Sequence, residues 1–469
     1  MALFCGGATM TYLELDESST NFAHCFRNQG LRPGDRVAIH WSNSFDVVQL
    51  FFALFKAGLI GVTINTRLKP PEISYILSHS EARVCFSEPA LGPFARAAAP
   101  ACPIVTELPK AGTSDDQPAA LPEPDPEQPA LILYTSGTTA RPKGIVHTHR
   151  SLSQIGLLGT QVIVVPGDRG ADLCVLPLMH AAAWVSLLAS LRLKFPSVLL
   201  PRFDPGAVLD AIERFQCTHM VCMPALWVLV LEEQKRKPRQ VSSLRTALAG
   251  GDAVSQPLQR RFEAIFGIPL TEGYGMTEAV PLICNPKGAI RSGAMGVPLN
   301  GAEVRIVDLS GHEVAEGESG EIIVRSPNIC AGYWKDPEAT RAAIRDGWLY
   351  TGDLGSRDAN GYYWFRGRKK EIIIRAGSNI SPQEVEEALC RHPAVLEAGV
   401  VGRPDALYGE VVVAFVVLRQ GATAEPQQLR SFAQEYLADY KLPESILFLE
   451  ALPKGPTGKV QRRALKEMI

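Results

Sequence analysis

Residues 134–144 carry the densest chemistry in the chain: Tyr134, Thr135, Ser136, Gly137, Thr138, Thr139, Ala140, Arg141, Pro142, Lys143 and Gly144. From Thr135 to Thr139 every position is a hydroxyl residue or glycine. Such a turn offers backbone N–H groups and short O–H donors to a chain of phosphates. Arg141 and Lys143 add positive charge at its far end. The common P-loop ends Gly-Lys-Ser/Thr at the start of a helix. Here Pro142 precedes the lysine and Gly144 follows it, so this is a different kind of phosphate loop or a plain polar turn.

Other segments hold residues of reactive type. His180 follows the apolar run Leu173–Leu176, at a strand's carboxyl end, where doubly wound sheets place ligands. Leu248, Ala249, Gly250, Gly251 and Asp252 read as a strand ending in a glycine pair, which lets a backbone approach a flat ligand. Gly273, Tyr274, Gly275, Met276, Thr277 and Glu278 resemble a dinucleotide fingerprint that lacks its third glycine. Asp353 follows a Thr-Gly turn, as a carboxylate reaching ribose hydroxyls would. Lys459 lies on a loop shaped by Gly455, Pro456 and Gly458. His147 and His149 are placed on one strand and one face, as structural residues and not metal ligands.

These side chains need a frame, and the hydrophobic pattern supplies one. Tyr12–Gln29 has helical spacing and ends at Gly30. Arg36–Trp41 reads as a strand, Phe45–Lys56 as a helix, Leu59–Ile64 as a strand, Pro71–Ser78 as a helix and Ala82–Ser87 as a strand. The run Ala130–Tyr134 reads as a buried strand leading into the loop. This βαβ rhythm predicts a parallel, doubly wound α/β sheet. Residues 113–130 hold five prolines and five acidic residues and read as a surface linker. Segment 302–328 alternates and predicts antiparallel strands of a small barrel or sheet. After residue 370 the pattern is α+β: strand 371–375, helix 382–389, strands 395–402 and 411–419, helix 426–440.

Composition bounds the function. A chain of 469 residues needs more than one core. With 46% hydrophobic and 20% charged residues it is an ordinary globular chain, and a net charge of −2 points to no nucleic-acid partner. No apolar run reaches the ~18 residues of a transmembrane helix. The N-terminus has no basic segment before an apolar one, so no secretory signal is expected, and the C-terminus carries no address. Ten cysteines stand without C-x-x-C spacing, which suits free thiols in a reducing, cytoplasmic setting.

Taken in order, the segments at 134–144, 177–180, 248–252, 273–278, 350–353, 364–384 and 452–459 resemble the adenylate-forming superfamily of acyl- and aryl-CoA synthetases, non-ribosomal adenylation domains and luciferases. The resemblance runs from Thr11 to Lys466. It implies a large N-terminal domain, residues 1–367, of two doubly wound subdomains plus a small β-barrel. A hinge at 368–370 and a small, mobile α+β C-terminal domain, residues 371–469, would follow. Thr135, Ser136, Gly137, Thr138, Thr139 and Lys143 would hold the β- and γ-phosphates of ATP. Gly251, Asp252, Gly273 and Tyr274 would surround adenine. Thr277 would contact the α-phosphate, and Glu278, with Thr138, would hold Mg²⁺. Asp353 would bind the ribose and Arg368 the ribose or phosphate. Lys370 would be the hinge residue, Lys459 the catalytic lysine with Thr277, Glu278 and His180, and Gly377 would face the thiol step. Ala140 stands where the family has glycine, and the chain starts some tens of residues short of typical relatives, so by the resemblance a first strand or cap is expected to be missing.

By position, His180, Ala181, Trp184, Met223, Ala249, Gly250, Met276 and Val280 would line the acid pocket. These side chains are mostly small and apolar, so an apolar acid, medium-chain fatty or aromatic, is expected. Trp184 either floors that pocket or packs in the core. The implied reaction is adenylation of the acid with loss of pyrophosphate, then transfer to the thiol of coenzyme A. Loading of an acyl carrier protein's phosphopantetheine is the alternative, and a non-catalytic nucleotide-binding relative a third.

Overall fold

The computed structural model describes residues 2–98, 101–109, 120–135, 142–163, 170–252, 254, 256–376, 378–455 and 460–469. The loop residues 136–141, Gly377 and Lys459 lie outside these, as do residues 113–119 of the proline-rich linker. The described residues form two compact units. One holds residues 2–292, 296–303 and 325–349; the other holds 293–295, 304–324 and 350–469.

The first unit is built on two sheets wrapped by helices. Its seven-stranded sheet runs Gly332–Tyr333, Lys143–Thr148, Pro129–Thr135, Ile60–Thr63, Arg36–His40, Val84–Ser87, Ile104–Val105. From Pro129–Thr135 to Ile104–Val105 the neighbours are parallel. The other two strands are antiparallel. The nine-stranded sheet runs Val297–Pro298, Ala279–Cys284, Leu270–Met276, Thr246–Gly250, Cys217–Cys222, Ala171–Cys174, Ser197–Leu199, Leu3–Cys5, Ala8–Met10. It is parallel from Leu270–Met276 through Leu3–Cys5.

Local chemistry sets the helix ends. Thr11 and Glu14 close a capping box on helix Tyr12–Asn28, and Gly30 takes φ +82° just beyond its end. Ser44 caps Phe45–Lys56, whose Val47, Val48, Leu50, Phe51, Ala53 and Leu54 enter the core. Burying those apolar faces against the sheets is what stabilises helices of this length.

Two expectations need correction. His147 and His149 do not share a strand. Thr148 ends the strand and its hydroxyl accepts the Ser151 N–H at 3.1 Å, starting helix His149–Ile163. The helix expected over 426–440 stops at Ala433, and a short 3₁₀ turn follows at Asp439–Lys441. The break lets Leu437 and Leu442 both enter the core.

Most residues of the strands Glu303–Val307, Gly320–Arg325, Trp348–Arg357 and Tyr363–Arg368, which belong to one small sheet, fall in the second unit. Its other sheet is Ser378–Ile380, Ile373–Arg375, Gly409–Leu418, Val395–Asp405, with Ser445–Phe448 along Gly409–Leu418. Helices Pro382–Cys390 and Pro426–Ala433 bury Val385, Leu389 and Leu429 against it. Thus the small sheet of segment 302–328 groups with the C-terminal residues. Among the described residues no helix is long and apolar enough to cross a membrane, and all ten cysteines are free thiols.

Candidate active site

The carboxyl edge of the nine-stranded sheet gathers most of the residues singled out in the first unit. Strand Cys217–Cys222 ends at Met223, strand Thr246–Gly250 at Gly251 and Asp252, and strand Leu270–Met276 at Thr277. Register places Cys222 beside Ala249, and Gly250 beside Gly273. Gly251 has φ +83°, the left-handed region that glycine adopts at no steric cost.

Thr277 and Glu278 form the tip of a two-residue hairpin, since Met276 pairs with Ala279 across it. Gly275 admits no side chain: a Cβ there would lie 2.9 Å from Val280 Cγ2 and 3.2 Å from the Ala279 carbonyl. His147 fixes the tip from behind. Its Nε2 donates to the Thr277 carbonyl at 2.8 Å, and its Nδ1 lies 3.1 Å from Ser151 Oγ. Burial pushes its imidazole down to about 4, so the ring is neutral and the Nε2 proton is retained.

His180 is the cap residue of helix Ala181–Arg192. Its Nε2 lies 3.1 Å from Asn65 Nδ2, while Asn65 Oδ1 accepts the Arg67 N–H at 3.0 Å. The amide orientation therefore makes Nε2 the acceptor and leaves the proton on Nδ1. Burial first, and then the Arg67 charge, hold His180 below the usual histidine range. Trp184 settles in the core: it is fully buried, its indole N–H donates to the Leu178 carbonyl at 2.8 Å, and its ring meets Phe51 edge-on at 5.0 Å. Ala181 and Ala249 are buried, while Met223, Gly250, Met276 and Val280 are half-buried.

The phosphate loop lies outside the described residues, but both its stems are placed. Thr135 pairs with Lys143, and Tyr134 with Gly144, so the strands on either side of the loop are antiparallel neighbours. The stems are pinned from three sides. The Tyr75 hydroxyl donates to the Pro142 carbonyl at 3.1 Å, the Tyr134 hydroxyl lies 2.8 Å from His79 Nδ1, and the Trp334 N–H donates to the Gly144 carbonyl at 2.7 Å. The ammonium of Lys143 sits 4.6 Å from the centre of the Tyr333 ring, and the Tyr333 hydroxyl donates to Glu278 Oε1 at 2.9 Å. Lys143, Tyr333 and Glu278 thus join the two antiparallel strand pairs.

Tyr333 and Asn65 are the residues that motif reading passed over. Asn65 lies just past the strand Ile60–Thr63, a carboxyl-end position worth checking in any doubly wound sheet. Tyr333 lies in a two-residue strand, too short to leave a periodic signal.

In the second unit, Asp353 and Arg368 are register partners on adjacent strands, with Arg368 Nε 3.4 Å from Asp353 Oδ1. Gly352, at φ +71°, donates its N–H to Glu321 Oε1 at 3.1 Å, and Lys369 pairs with the same carboxylate at 2.8 Å. Lys370 is exposed in the 3₁₀ turn Lys369–Glu371.

Comparison with known proteins follows the same lines. The AMP-binding enzyme family matches residues 1–334, and the AMP-binding enzyme C-terminal domain matches residues 384–459. The chain is 37% identical to sulfoacetate–CoA ligase of Cupriavidus necator, covering 98% of this chain and 92% of that protein. It is 36% identical to feruloyl-CoA synthase of an Amycolatopsis species, covering 97% and 93%. The crystal structure of ATP-bound MatB from Rhodopseudomonas palustris superposes with a TM-score of 0.91 at 30% identity, covering 100% of this chain and 95% of that one. The chain belongs to the AMP-binding enzyme family, and it is an acid–thiol ligase of the adenylate-forming, CoA ligase type.

Proposed function

We propose that this enzyme activates an apolar carboxylic acid, aromatic or medium-chain fatty, and passes the acyl group to coenzyme A. The observation that supports the apolar reading is the set of residues placed by position at the acid, where Ala181, Met223, Ala249, Gly250, Met276 and Val280 are all uncharged and mostly apolar, the charged Asp252 and Glu278 being assigned to the nucleotide and its metal. The relatives named above act on acids as unlike as sulfoacetate and ferulate, so the acid must be read from this chain's own pocket.

A carboxylate oxygen attacks the α-phosphorus of ATP, and the bond from that phosphorus to the pyrophosphate oxygen breaks. Both reactants are anions, so positioning and charge compensation carry the rate. Thr135, Lys143 and the loop residues Ser136, Gly137, Thr138 and Thr139 grip the leaving pyrophosphate, and Lys459 meets charge on the bridging oxygens. Gly251, Asp252, Gly273 and Tyr274 accommodate adenine, Thr277 the α-phosphate, Asp353 the ribose hydroxyls and Arg368 the ribose or a phosphate. In the second step the thiol sulfur attacks the acyl carbon, AMP leaves with the carbon–oxygen bond's electrons, and the thiol proton is released. The Gly377 loop serves that step, and Lys370 is the hinge.

The residues present fit Mg²⁺. Among the described residues no three His, Cys, Asp or Glu side chains form a cage. Glu278 instead offers a single hard carboxylate at a hairpin tip, the kind of ligand this ion takes together with substrate phosphates. When bound, Mg²⁺ neutralises phosphate charge. Free thiols throughout support a reducing, cytoplasmic setting.

ATP–pyrophosphate exchange over a panel of aromatic, fatty and sulfonated acids tests the reading. Exchange is expected with an apolar acid, and product analysis with coenzyme A against a carrier protein then identifies the acceptor. Exchange with sulfoacetate alone would overturn the apolar pocket. Lys459→Ala is expected to lower adenylation about 10²–10³-fold while ATP still binds.

A further inference from the structure

Tyr333 is locked in place by contacts that involve no ligand. Its strand pairs antiparallel with Lys143–Thr148, Tyr333 beside Ile145. Its N–H donates to Thr340 Oγ1 at 2.9 Å, and that hydroxyl donates onward to the Asp336 carbonyl at 2.8 Å. The neighbouring Gly332, at φ +133°, could carry no side chain, because a Cβ would meet Thr340 Cγ2 at 2.4 Å. The Cys330 N–H donates to the Glu278 carbonyl at 2.8 Å, tying the same segment to the hairpin tip. The phenol is therefore presented to Glu278 and Lys143 on a rigid support.

Its two contacts are of different chemistry. The hydroxyl meets a carboxylate, a charge-assisted bond. The ring face meets an ammonium, a cation–π contact. The cation above the ring draws electron density from the phenol and strengthens its donation below.

We propose that Tyr333 is a positioning residue for adenylation: its hydroxyl holds the Glu278 carboxylate in the orientation that receives Mg²⁺, and its ring stations Lys143 for the incoming triphosphate. The inference rests on the roles proposed above for Glu278 and Lys143. A partner that orients a metal's carboxylate ligand typically governs affinity by about 10–100-fold.

The two contacts can be removed separately. Tyr333→Phe keeps the ring and loses the hydroxyl; Tyr333→Leu loses both. The full chain, saturated with α,β-methylene ATP, is titrated with Mn²⁺ and free Mn²⁺ is followed by electron paramagnetic resonance. Tyr333→Phe is expected to weaken Mn²⁺ binding about 10-fold or more, with unchanged melting temperature and unchanged metal-free nucleotide affinity. Tyr333→Leu is expected to weaken nucleotide binding as well. Wild-type Mn²⁺ affinity in Tyr333→Phe overturns the proposal. So does a parallel fall of metal affinity, nucleotide affinity and melting temperature, which is the signature of a packing role. Glu278→Gln is the control: if it binds Mn²⁺ like wild type, the metal reading of Glu278 fails; if it loses Mn²⁺ while Tyr333→Phe does not, only the Tyr333 proposal fails.

Discussion

Single residues here act mostly by holding others. His147 never meets a substrate in this reading, yet its Nε2 proton positions the Thr277 carbonyl and hence the hairpin tip. Asp172 is of another kind, buried on strand Ala171–Cys174 with Ser197 and His219 as register partners on the adjoining strands. Burial pushes its carboxyl up to about 7, and the Ser186 and Ser190 hydroxyls pull it partly back. The folded form thus keeps a proton over a range where the unfolded chain has released it. Stability falls as pH rises from the unfolded value toward 7, then levels. Between about pH 5.5 and about pH 8.5 this one group costs about 2 kcal/mol. Asp172→Asn is expected to remove that slope; urea unfolding at the two pH values measures it, and an unaltered slope would assign the effect to other groups. None of this was legible in the sequence, where Asp172 is one acid in an apolar run. The residues that touch nucleotide in the proposal were legible because phosphate and ribose contacts demand particular types at particular spacings. Their supports Asn65 and Tyr333 were not, and His147 was read as structural without what it braces, because any of several side chains can brace a loop and only the fold says which.

At the scale of elements, the proposed site rests on two antiparallel strand pairs, both exceptions at the side of parallel sheets. Helix Phe45–Lys56 was legible to the residue, because its cap, apolar face and terminal charges agree. The phosphate loop read only as a turn after a strand; its return strand Lys143–Thr148 carries few alternating cues, and Thr148 hid the helix start by serving as cap. The second pair depends on Gly275. Gly275→Ala must displace Val280 or the Ala279 carbonyl, at a cost of about 1–3 kcal/mol, and shifts Thr277 and Glu278 together. Pyrophosphate exchange is expected to fall by about 100-fold, since a displacement near 1 Å at reacting groups has that effect. Circular dichroism should remain native, and full exchange activity would show that the tip tolerates the shift.

Across the whole molecule, the C-terminal sheet owns its core. Ile373, Ile380, Val385, Leu389, Val400, Val412, Val416, Leu429 and Ile446 pack with one another, all from within residues 373–446. About a hundred residues with such a core suffice for independent folding. A fragment of residues 371–469 is expected to unfold cooperatively in urea; a gradual, non-cooperative loss of structure would show that it needs the rest of the chain. The first unit behaves oppositely, because it borrows from afar. Gly332 pairs with Val146, 186 positions earlier, to complete the edge beside Lys143. On a ribosome adding about 5–20 residues per second, that edge waits roughly 10–40 s with its peptide groups unpaired, open to adventitious strands. The proposed nucleotide site is thus finished late in synthesis, and messages truncated between those points would yield chains prone to aggregate before they bind anything.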